Sequence, residues 1–576
     1  MPGYLDTPMP ESTPISESTS VPESTHAPDT HSRPPSREPL AERLVPPFPR
    51  EPFPGAGWIL PLLITAIGGF LRFWNLGRPD QVIFDETYYA KDAWSMYVYG
   101  WEHTWQAKVA DPALAGSGSG RFGAHGTALF GCDPTCPEFV VHPPFGKWVI
   151  GFGEQIWGLN PVGWRLMGAL LGTVAIFVLA RTARRMFRST LCGCIAGILF
   201  SYDGLAFVMA RTALLDGIQM FFILVGFSCL VVDRDRARAR LVTWADGVHR
   251  DGASPGPMPV HDYGPRLGPR PWRLLAGVSL GLATATKWNG IFFLVAFTAL
   301  TLLWDRGARR AVGVRRPTRA TLRRDTTGAL LSLPIVAAGV FVASYAGWFL
   351  DTGNGGGWDR FWAEANPPRG FPDLPFGRTL TGWIPDPLRS LWFYIHQQYQ
   401  ASVNITTPHP YMSNPWSWLV VGRPVAFYVG PAGCPSSTQT CSEVLALGNP
   451  LLWWFATATL PYLVWRWLAR RDWRAGAILC GVAAALLPWM HYAQRTIFSF
   501  YAVSFTPFIV LAATMALGAV LGRADAPGAR RAWGACVTGA VVVGVVGLFG
   551  YFYPIYTGQT ISYTDWLHHM WLPSWI

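Results

Sequence analysis

The composition of this 576-residue chain is typical of a membrane protein. Half of its residues are hydrophobic and 14% are charged, whereas about a quarter of the residues in typical soluble domains are charged. The net charge of +11 does not indicate nucleic-acid binding, because the arginines are concentrated in short segments between apolar runs, where they report membrane topology. These features argue against a soluble multidomain protein and against a nucleic-acid partner.

The first 55 residues are predicted to be a disordered cytoplasmic tail. They are rich in Pro, Ser, Thr and Glu and show no apolar periodicity, so they cannot bury enough apolar surface to fold. No apolar core of a signal peptide lies near Met1. We therefore expect the first apolar run to act as an uncleaved signal and as the first membrane span.

Residues 56–553 are predicted to form one transmembrane domain with about eleven spans, because a span needs roughly 20 mostly apolar residues. The spans are predicted near 57–76, 163–182, 189–204, 211–232, 272–286, 288–304, 328–350, 449–468, 473–490, 496–521 and 531–553. The shorter apolar segment 146–159 follows Pro143-Pro144. It is interpreted as an interfacial or re-entrant helix.

Loop charges predict the orientation of this all-α, multi-pass protein in the plasma membrane. Every second loop is basic, and basic loops remain in the cytoplasm. Those loops are 183–188, 233–271, 305–327, 469–472 and 522–530. The N-terminus is therefore predicted inside. Two long loops, 77–162 and 351–448, and the C-terminal tail, 554–576, are predicted to be extracytoplasmic.

Two cysteine pairs lie in the predicted outer loops, Cys132/Cys136 and Cys434/Cys441. In an oxidising compartment both pairs would form local disulfides. Free thiols are the alternative. A metal site is less well supported, because the Cys-x3-Cys spacing has no second cysteine pair beside it.

Adjacent carboxylates, Asp85-Glu86, directly follow the first predicted span and its short connection. On a helix, neighbouring side chains point about 100° apart, so the two acids can have different roles. One could accept a proton from a reacting hydroxyl while the other orients a neighbour. The alternative is a pair of acids that only stabilises a helix N-terminus.

Further polar residues lie near the same predicted outer face. They are His142, Lys147, Arg165, Arg211, Asp216, Lys287, His491 and Arg495. The structural alternatives are lysines that reach the headgroups, an Arg165–Arg211–Asp216 set that pairs internally, and an ordinary loop that carries His491 and Arg495. Taken together, these residues suit a transfer reaction from a lipid phosphate. The cations at headgroup depth could stabilise the departing phosphate, and a carboxylate could accept the proton of the attacking hydroxyl. No metal or other cofactor is expected, because the outer loops lack an Asp-x-Asp motif and Asp233-Arg234-Asp235 falls in a predicted inner loop.

An ordered set of motifs resembles the protein O-mannosyltransferases, which are membrane glycosyltransferases with the type C fold. The motifs are Phe84-Asp85-Glu86, His142-Pro143-Pro144, Arg211 through Asp216, and Lys287-Trp288. The resemblance covers roughly residues 57–576. It is closest to the actinobacterial branch, since the second outer loop lacks the large insertion in which the fungal and animal enzymes carry a β-trefoil domain.

The resemblance implies transfer of one mannose, with inversion, from a polyprenyl-phosphate mannose to Ser or Thr of proteins being secreted. It implies that Asp85 is the base, that Glu86 organises the acceptor or the site, and that Arg165, Arg211 and Lys287 hold the donor phosphate. Asp216 would orient those cations. His142, Lys147, His491 and Arg495 would support the site. The expected partners are the lipid donor, secreted polypeptides, membrane lipid and the secretion translocon.

Two other functions remain open at this point. A type C transferase that acts on a lipid or a cell-wall glycan would have a similar donor site. A transporter is disfavoured, because the two halves show no repeat and the polar residues cluster at one face rather than at mid-depth.

Overall fold

The computed structural model describes residues 40–48, 51–103, 139–251, 262–350, 358, 383–522 and 526–576. The first half of this part forms helices α1 Leu40–Leu44, α2 Ala56–Phe73, α3 Glu86–Tyr99, α4 Phe145–Trp157, α5 Pro161–Phe187, α6 Thr190–Ser201, α7 Gly204–Ala210, α8 Leu215–Asp251, α9 Pro271–Thr286 and α10 Gly290–Ala311. The second half forms α11 Pro317–Arg324, α12 Thr326–Leu330, α13 Val336–Ser344, α14 Ala346–Leu350, α15 Asp386–Val403, α16 Pro415–Trp418, α17 Pro450–Leu468, α18 Trp473–His491, α19 Thr506–Leu521, α20 Gly528–Thr557 and α21 Tyr563–His569. A π-helical turn, Leu331–Ile335, joins α12 to α13, and a 3-10 segment, Ser499–Phe505, leads into α19.

Eight helices of the described part are long and apolar enough to cross a membrane, or nine if the bent pair α6–α7 is one span. The sequence prediction of about eleven also counted the segments that form α9 and α17. Neither of these is among the eight, and α9 has only 16 residues. The chain is therefore a multi-pass membrane protein in which eight or nine spans are supported by length and composition.

The segment predicted as one straight span over 189–204 is instead two helices. The axes of α6 and α7 meet at 64°. Asp203 explains the bend, because its carboxylate accepts hydrogen bonds from the backbone N–H of Ala206 (2.9 Å), the backbone N–H of Asn449 (3.0 Å) and Trp453 Nε1 (2.8 Å). A buried acid with these partners fixes where α7 begins and ties it to the start of α17.

Residues 40–48 differ from the prediction of a fully disordered tail. They form α1 and a short extension, and Leu44 is buried against Leu241 and Ala245 of α8. The Phe48 ring lies under the guanidinium groups of Arg184 and Arg188. The remaining predicted tail up to residue 39 lies outside the described residues.

A small antiparallel sheet interrupts the otherwise helical fold, in order β1 Val425–Val429, β2 Thr440–Ala446 and β3 Thr560–Ser562. Val425 pairs with Ala446, and Cys441 pairs with Ile561. The sheet joins the second predicted outer loop to the C-terminal tail, so the fold is helical with a local β-element. Cys434 is bonded to Cys441, with their Cα atoms 4.8 Å apart, whereas Cys132 and Cys136 lie outside the described residues.

The helical bundle has two chemically different ends. The C-terminal end of α9 and the N-terminal ends of α5 and α8 meet beside Asp85, and we call this the Asp85 end. The opposite end is held by arginine–aspartate pairs, in which Arg270 binds Asp233 and Asp305 and Arg309 binds Asp325. The basic loops found in the sequence therefore gather at one end of the bundle.

Candidate active site

Asp85 is positioned by a strained residue that aromatic side chains hold in place. Phe84 has φ +47°, in the left-handed region, which is unfavourable for a bulky side chain. Its ring stacks on Phe427 of β1, with ring centroids 4.7 Å apart, and meets Phe500 edge-on at 5.4 Å. These contacts offset the strain and turn the chain into α3, so that Asp85 lies at the start of that helix.

The Asp85 carboxylate is half-buried and accepts no hydrogen bond from any described residue, its own helix included. Burial raises its pKa to about 6, and Asp216 adds to the increase, while Lys287 opposes it. At neutral pH the group is therefore mostly ionised, yet it is a stronger base than an ordinary aspartate. These are the properties expected of a general base.

Glu86, in contrast, is fully committed to the fold. It is completely buried and receives Nε and Nη2 of Arg165, each at 2.8 Å. It also accepts the backbone N–H groups of Ile83 and Ala213, each at 3.0 Å. This set of four hydrogen bonds joins α5, the start of α3 and the loop before α8, so Glu86 organises the site and is not available to a substrate.

Arg165 does not occupy the place predicted for a donor-phosphate ligand. Arg165 is buried and binds Glu86. It also donates to three carbonyl oxygens, those of Leu76 (3.2 Å), Pro79 (2.8 Å) and Gln81 (2.9 Å). These bonds use all five N–H groups of the guanidinium. Its guanidinium therefore has no donor left for a phosphate.

Arg211 donates to carbonyl oxygens at the end of α2, including those of Arg72 (2.8 Å), Trp74 (2.6 Å) and Asn75 (2.9 Å). It thereby satisfies carbonyl groups that the helix end leaves without intrahelical partners. Arg211 also lines a cavity of about 390 Å³ whose lining includes neither Asp85 nor Lys287. The role of Arg211 in holding the donor phosphate therefore stays a prediction.

Lys287 is the cation with the largest electrostatic effect on Asp85. Its Nζ donates to both carboxylate oxygens of Asp216, at 2.9 and 2.8 Å, and lies 4.1 Å from the centre of the Tyr501 ring. Gln219 Nε2 donates to the Lys287 carbonyl oxygen at 2.7 Å and holds the turn after α9. The pairing of Asp216 with Lys287, rather than with Arg211, makes Asp216 the residue that orients this cation.

Lys147 lies in a separate buried cluster. Its Nζ is 2.6 Å from Glu102 and 3.3 Å from Asp92. Burial disfavours its charge, yet the two acids outweigh that effect and raise the pKa of Lys147. Lys147 therefore joins the first outer loop to α3 and α4 and does not contact Asp85.

His142 lies closer to the reacting groups. Its ring centroid is 6.1 Å from that of Tyr89, and its Nδ1 is buried with no partner among the described residues. Burial, followed by Lys287, Lys147 and Arg495, holds the pKa of His142 well below its usual value. The imidazole is therefore neutral, with a free nitrogen at the edge of the site.

The last two predicted residues, His491 and Arg495, diverge. His491 is exposed at the end of α18, where it contacts Tyr492. Arg495 is half-buried over Trp489, and its Nε is buried with no partner in the described part of the chain. Since Arg495 lowers the pKa of His142, it lies near the site with unused donors.

Two tyrosines of the site were not singled out by the sequence analysis. Burial, Asp85 and Asp216 hold the pKa of Tyr89 well above its usual value, so its phenol remains a hydrogen-bond donor. The Tyr501 ring makes a cation–π contact with the ammonium group of Lys287. The pair Tyr88-Tyr89 follows Asp85-Glu86 in the sequence. Because residues three or four positions apart lie on the same face of a helix, Tyr89 could have been predicted to lie on the same side as Asp85.

Two family models match the chain. Residues 141–244 match "Dolichyl-phosphate-mannose-protein mannosyltransferase", and residues 388–575 match the "C-terminal four TMM region of protein-O-mannosyltransferase". Together they cover the segments that carry His142, Asp216 and Arg495.

Curated relatives match over nearly the whole chain. A polyprenol-phosphate-mannose–protein mannosyltransferase of Mycolicibacterium smegmatis is 38% identical over 529 residues, 90% of this chain and 93% of the relative. The protein of the same name from Mycobacterium tuberculosis is 37% identical over 90% of this chain and 92% of its own length. That from Corynebacterium glutamicum is 30% identical over 89% and 91%.

Among solved structures, the protein O-mannosyltransferase Pmt1-Pmt2 complex of Saccharomyces cerevisiae, bound to the sugar donor, is similar. The match has a TM-score of 0.66 at 14% identity and covers 93% of this chain and 94% of the matched chain. At this identity the likeness establishes the fold, which is the type C glycosyltransferase fold predicted from the sequence.

Proposed function

Because the chain belongs to the polyprenol-phosphate-mannose–protein mannosyltransferase family, we propose that it transfers mannose from a polyprenyl-phosphate mannose to Ser and Thr hydroxyls of secreted proteins. Family membership confirms the resemblance drawn from the ordered motifs, and with it the assignment of the chain as a glycosyltransferase. The observation that carries the chemical proposal is Asp85, a carboxylate that lies near Lys287 and accepts no hydrogen bond from the described residues.

The proposed reaction is a single displacement at the anomeric carbon of mannose. Asp85 accepts the proton of the acceptor hydroxyl as its oxygen bonds to that carbon from the face opposite the phosphate. The bond between the anomeric carbon and the phosphate oxygen breaks, and the lipid leaves as an anionic polyprenyl phosphate. The product therefore has inverted anomeric configuration.

Lys287 and Arg495 would stabilise the charge that develops on the departing phosphate. Lys287 is held by Asp216, and Arg495 has a buried Nε without a partner among the described residues. Because the leaving group departs as an anion beside two cations, we propose that the step needs no metal and no general acid. Neutral His142 and Tyr89 would hydrogen-bond the sugar or the acceptor.

We further propose that the Asp85 end of the bundle faces the extracytoplasmic side of the plasma membrane. The support is the opposite end, where the arginines gather, as expected of a cytoplasmic face. A secreted acceptor and, in the sequence interpretation, the secretion translocon would then approach Asp85 from outside. A cysteine introduced at exposed Tyr88 should react with an impermeant maleimide added to intact cells, and reaction only after lysis would contradict this orientation.

The rate of transfer should depend on pH as the ionisation of Asp85 requires. Its pKa is raised to about 6, and only the ionised form accepts a proton. We therefore expect the rate at limiting substrate to be constant above about pH 7 and to fall about tenfold per unit below about pH 5. The pH profile of the rate in solubilised enzyme measures this.

Asp92 provides the control for that profile, since it is also on α3 and burial raises its pKa to about 6. Asp92→Asn should keep the midpoint of the profile, because Asp92 binds Lys147 away from the base. A midpoint that disappears in Asp92→Asn would reassign the titrating group.

Replacing Arg495 by glutamine should weaken the interaction with the donor. A charge-assisted hydrogen bond contributes about 1.5–3 kcal/mol, which corresponds to roughly 10- to 100-fold in the apparent donor KM. The matched control is Arg423→Gln, which removes a guanidinium from the second outer loop that binds backbone carbonyls of residues 410 and 574. An unchanged donor KM in Arg495→Gln would remove Arg495 from the donor site.

The alternative acceptor, a lipid or a cell-wall glycan, would use the same donor site. A deletion strain distinguishes the two acceptor classes. We expect mannose to disappear from secreted proteins and to return with the wild-type gene. Unchanged mannosylated proteins, with loss of mannose from lipid or wall glycan, would favour the alternative.

A further inference from the structure

A large cavity lies at the end of the bundle opposite Asp85. Its lining includes Phe187, the last residue of α5. The same helix places Arg165 against Glu86 near its first turn. Since α5 has 27 residues and a helix rises 1.5 Å per residue, about 40 Å separates its two ends. The cavity is therefore separate from the site of transfer.

The cavity has a volume of about 660 Å³ and two contrasting walls. One wall is apolar and includes Leu191 of α6 and Met515 of α19. The other contains three arginines, Arg466 of α17, Arg474 of α18 and Arg531 of α20. An apolar wall beside clustered guanidinium groups matches a molecule with a hydrocarbon part and an anionic head.

Among the described residues, the guanidinium groups of this wall are only partly neutralised, because the three arginines have one acidic partner between them. Asp472 is the acid that binds both Arg466 and Arg474, and the side chain of Arg531 has no ion pair or hydrogen bond within the described part of the chain. The Nε of Arg466 is buried without a partner among the same residues. A buried donor without an acceptor is unfavourable, and an anionic oxygen in the cavity would satisfy it.

A second cavity, of about 210 Å³, adjoins the first and shares Arg474 with it. It is also lined by Arg188, Arg234 and Arg238. Arg234 is only 4% exposed and stacks on Trp473, with its guanidinium carbon 3.4 Å from the ring centre. The Nε atoms of Arg234 and Arg238 are also buried, and neither has a partner in the described ranges. The excess of unpaired cationic donors thus extends from one cavity into the next.

We propose that these two cavities form a binding site for an anionic glycerophospholipid of the membrane leaflet opposite the active site. The acyl chains lie along the wall formed by Leu191 and Met515, and the phosphate group binds Arg466, Arg474 and Arg531. The positive-inside rule alone predicts arginines that face headgroups in solution, whereas here the partly buried Arg466 and Arg474 and the exposed Arg531 line one cavity, as in basic pockets that bind anionic headgroups. The proposal does not depend on the reaction at Asp85.

Native mass spectrometry of the purified full-length protein tests this site. The protein is titrated separately with phosphatidylglycerol, with zwitterionic phosphatidylcholine, and with phosphatidylglycerol in the presence of inorganic phosphate. The variants are Arg531→Gln, which breaks no described contact, and the double variant Arg466→Gln/Arg531→Gln. The matched control is Arg530→Gln, because Arg530 precedes Arg531 on α20 and is exposed as Arg531 is, yet it bonds the Val520 carbonyl oxygen and lines neither cavity.

We expect phosphatidylglycerol to bind in preference to phosphatidylcholine and to resist inorganic phosphate. Each arginine near an anionic headgroup contributes about fivefold in affinity. Affinity should therefore fall about fivefold in Arg531→Gln and roughly 25-fold in the double variant, and stay unchanged in Arg530→Gln. Equal binding of the two lipids, or equal losses in Arg531→Gln and Arg530→Gln, would overturn the proposal. Displacement of the lipid by millimolar inorganic phosphate would overturn the lipid assignment in favour of a free-phosphate site.

Discussion

Replacing Asp85 by asparagine should reduce mannosyl transfer by about 10²- to 10⁴-fold, the range typical for loss of a general base. The substitution keeps the size of the side chain and removes its negative charge and its basicity. Because the carboxylate accepts no hydrogen bond from the described residues, we expect the variant to accumulate in the membrane as the wild type does. Labelled mannose incorporated per unit of folded protein measures the effect.

The reading of Asp85 as a base, rather than as a binding residue, depends on which kinetic parameter changes. We expect kcat to fall and the donor KM to change little, because Asp85 interacts with the transferring proton only in the transition state. Transfer by Asp85→Asn at the wild-type rate would contradict the role. A rise in donor KM with unchanged kcat would place Asp85 in donor binding.

The neighbouring substitution, Glu86→Ala, should have its largest effect on folding. It would leave the completely buried guanidinium of Arg165 without its carboxylate. Removing one partner of a buried ion pair destabilises by about 3–5 kcal/mol, and two backbone N–H groups would also lose their acceptor. We expect little folded protein in the membrane and a lower thermal unfolding midpoint in detergent.

Asp85→Asn is the matched control for this experiment, because it alters the adjacent carboxylate on the same helix start. It should unfold at the wild-type temperature. If Glu86→Ala were as stable as the wild type and only inactive, Glu86 would belong to the chemistry rather than to the scaffold.

Much of the fold was predictable because its determinants are local. The apolar runs that form α2, α5 and α8 are long enough to be recognised as membrane spans from their own sequence alone. The helix α4, directly after Pro143-Pro144, was predicted as an interfacial or re-entrant helix because its apolar run is too short for a span. The all-α, multi-pass class followed from these segments, whereas the type C fold was implied by the resemblance of the ordered motifs, and the structural comparison confirms it.

What the sequence could not predict depends on contacts between distant residues. The bend at Asp203 depends on hydrogen bonds that its carboxylate accepts from Asn449 and Trp453, about 250 positions away in the sequence. The sheet requires β3 of the C-terminal tail to meet β2 of the second outer loop. Similarly, α1 is ordered by α8, although its own composition predicts disorder.

The candidate site also combines features that the sequence predicts with contacts that it could not predict. The sequence placed Asp85, Asp216 and Lys287 in one group, and the structure brings these three together. It could not tell a free cation from one already bound, which is why Arg165 was expected at a phosphate although backbone carbonyls and Glu86 use all of its donors. The roles of the residues that the structure brings together remain predictions.

Transfer of mannose from a lipid phosphate to a protein hydroxyl is measured with labelled polyprenyl-phosphate mannose, a Ser/Thr-rich peptide and the purified full-length protein in liposomes. We expect label on the peptide through an alkali-labile bond, with inverted configuration, and none when each Ser and Thr is replaced by Ala. If the donor were consumed and the label were found only in lipid or glycan, the acceptor would not be a protein.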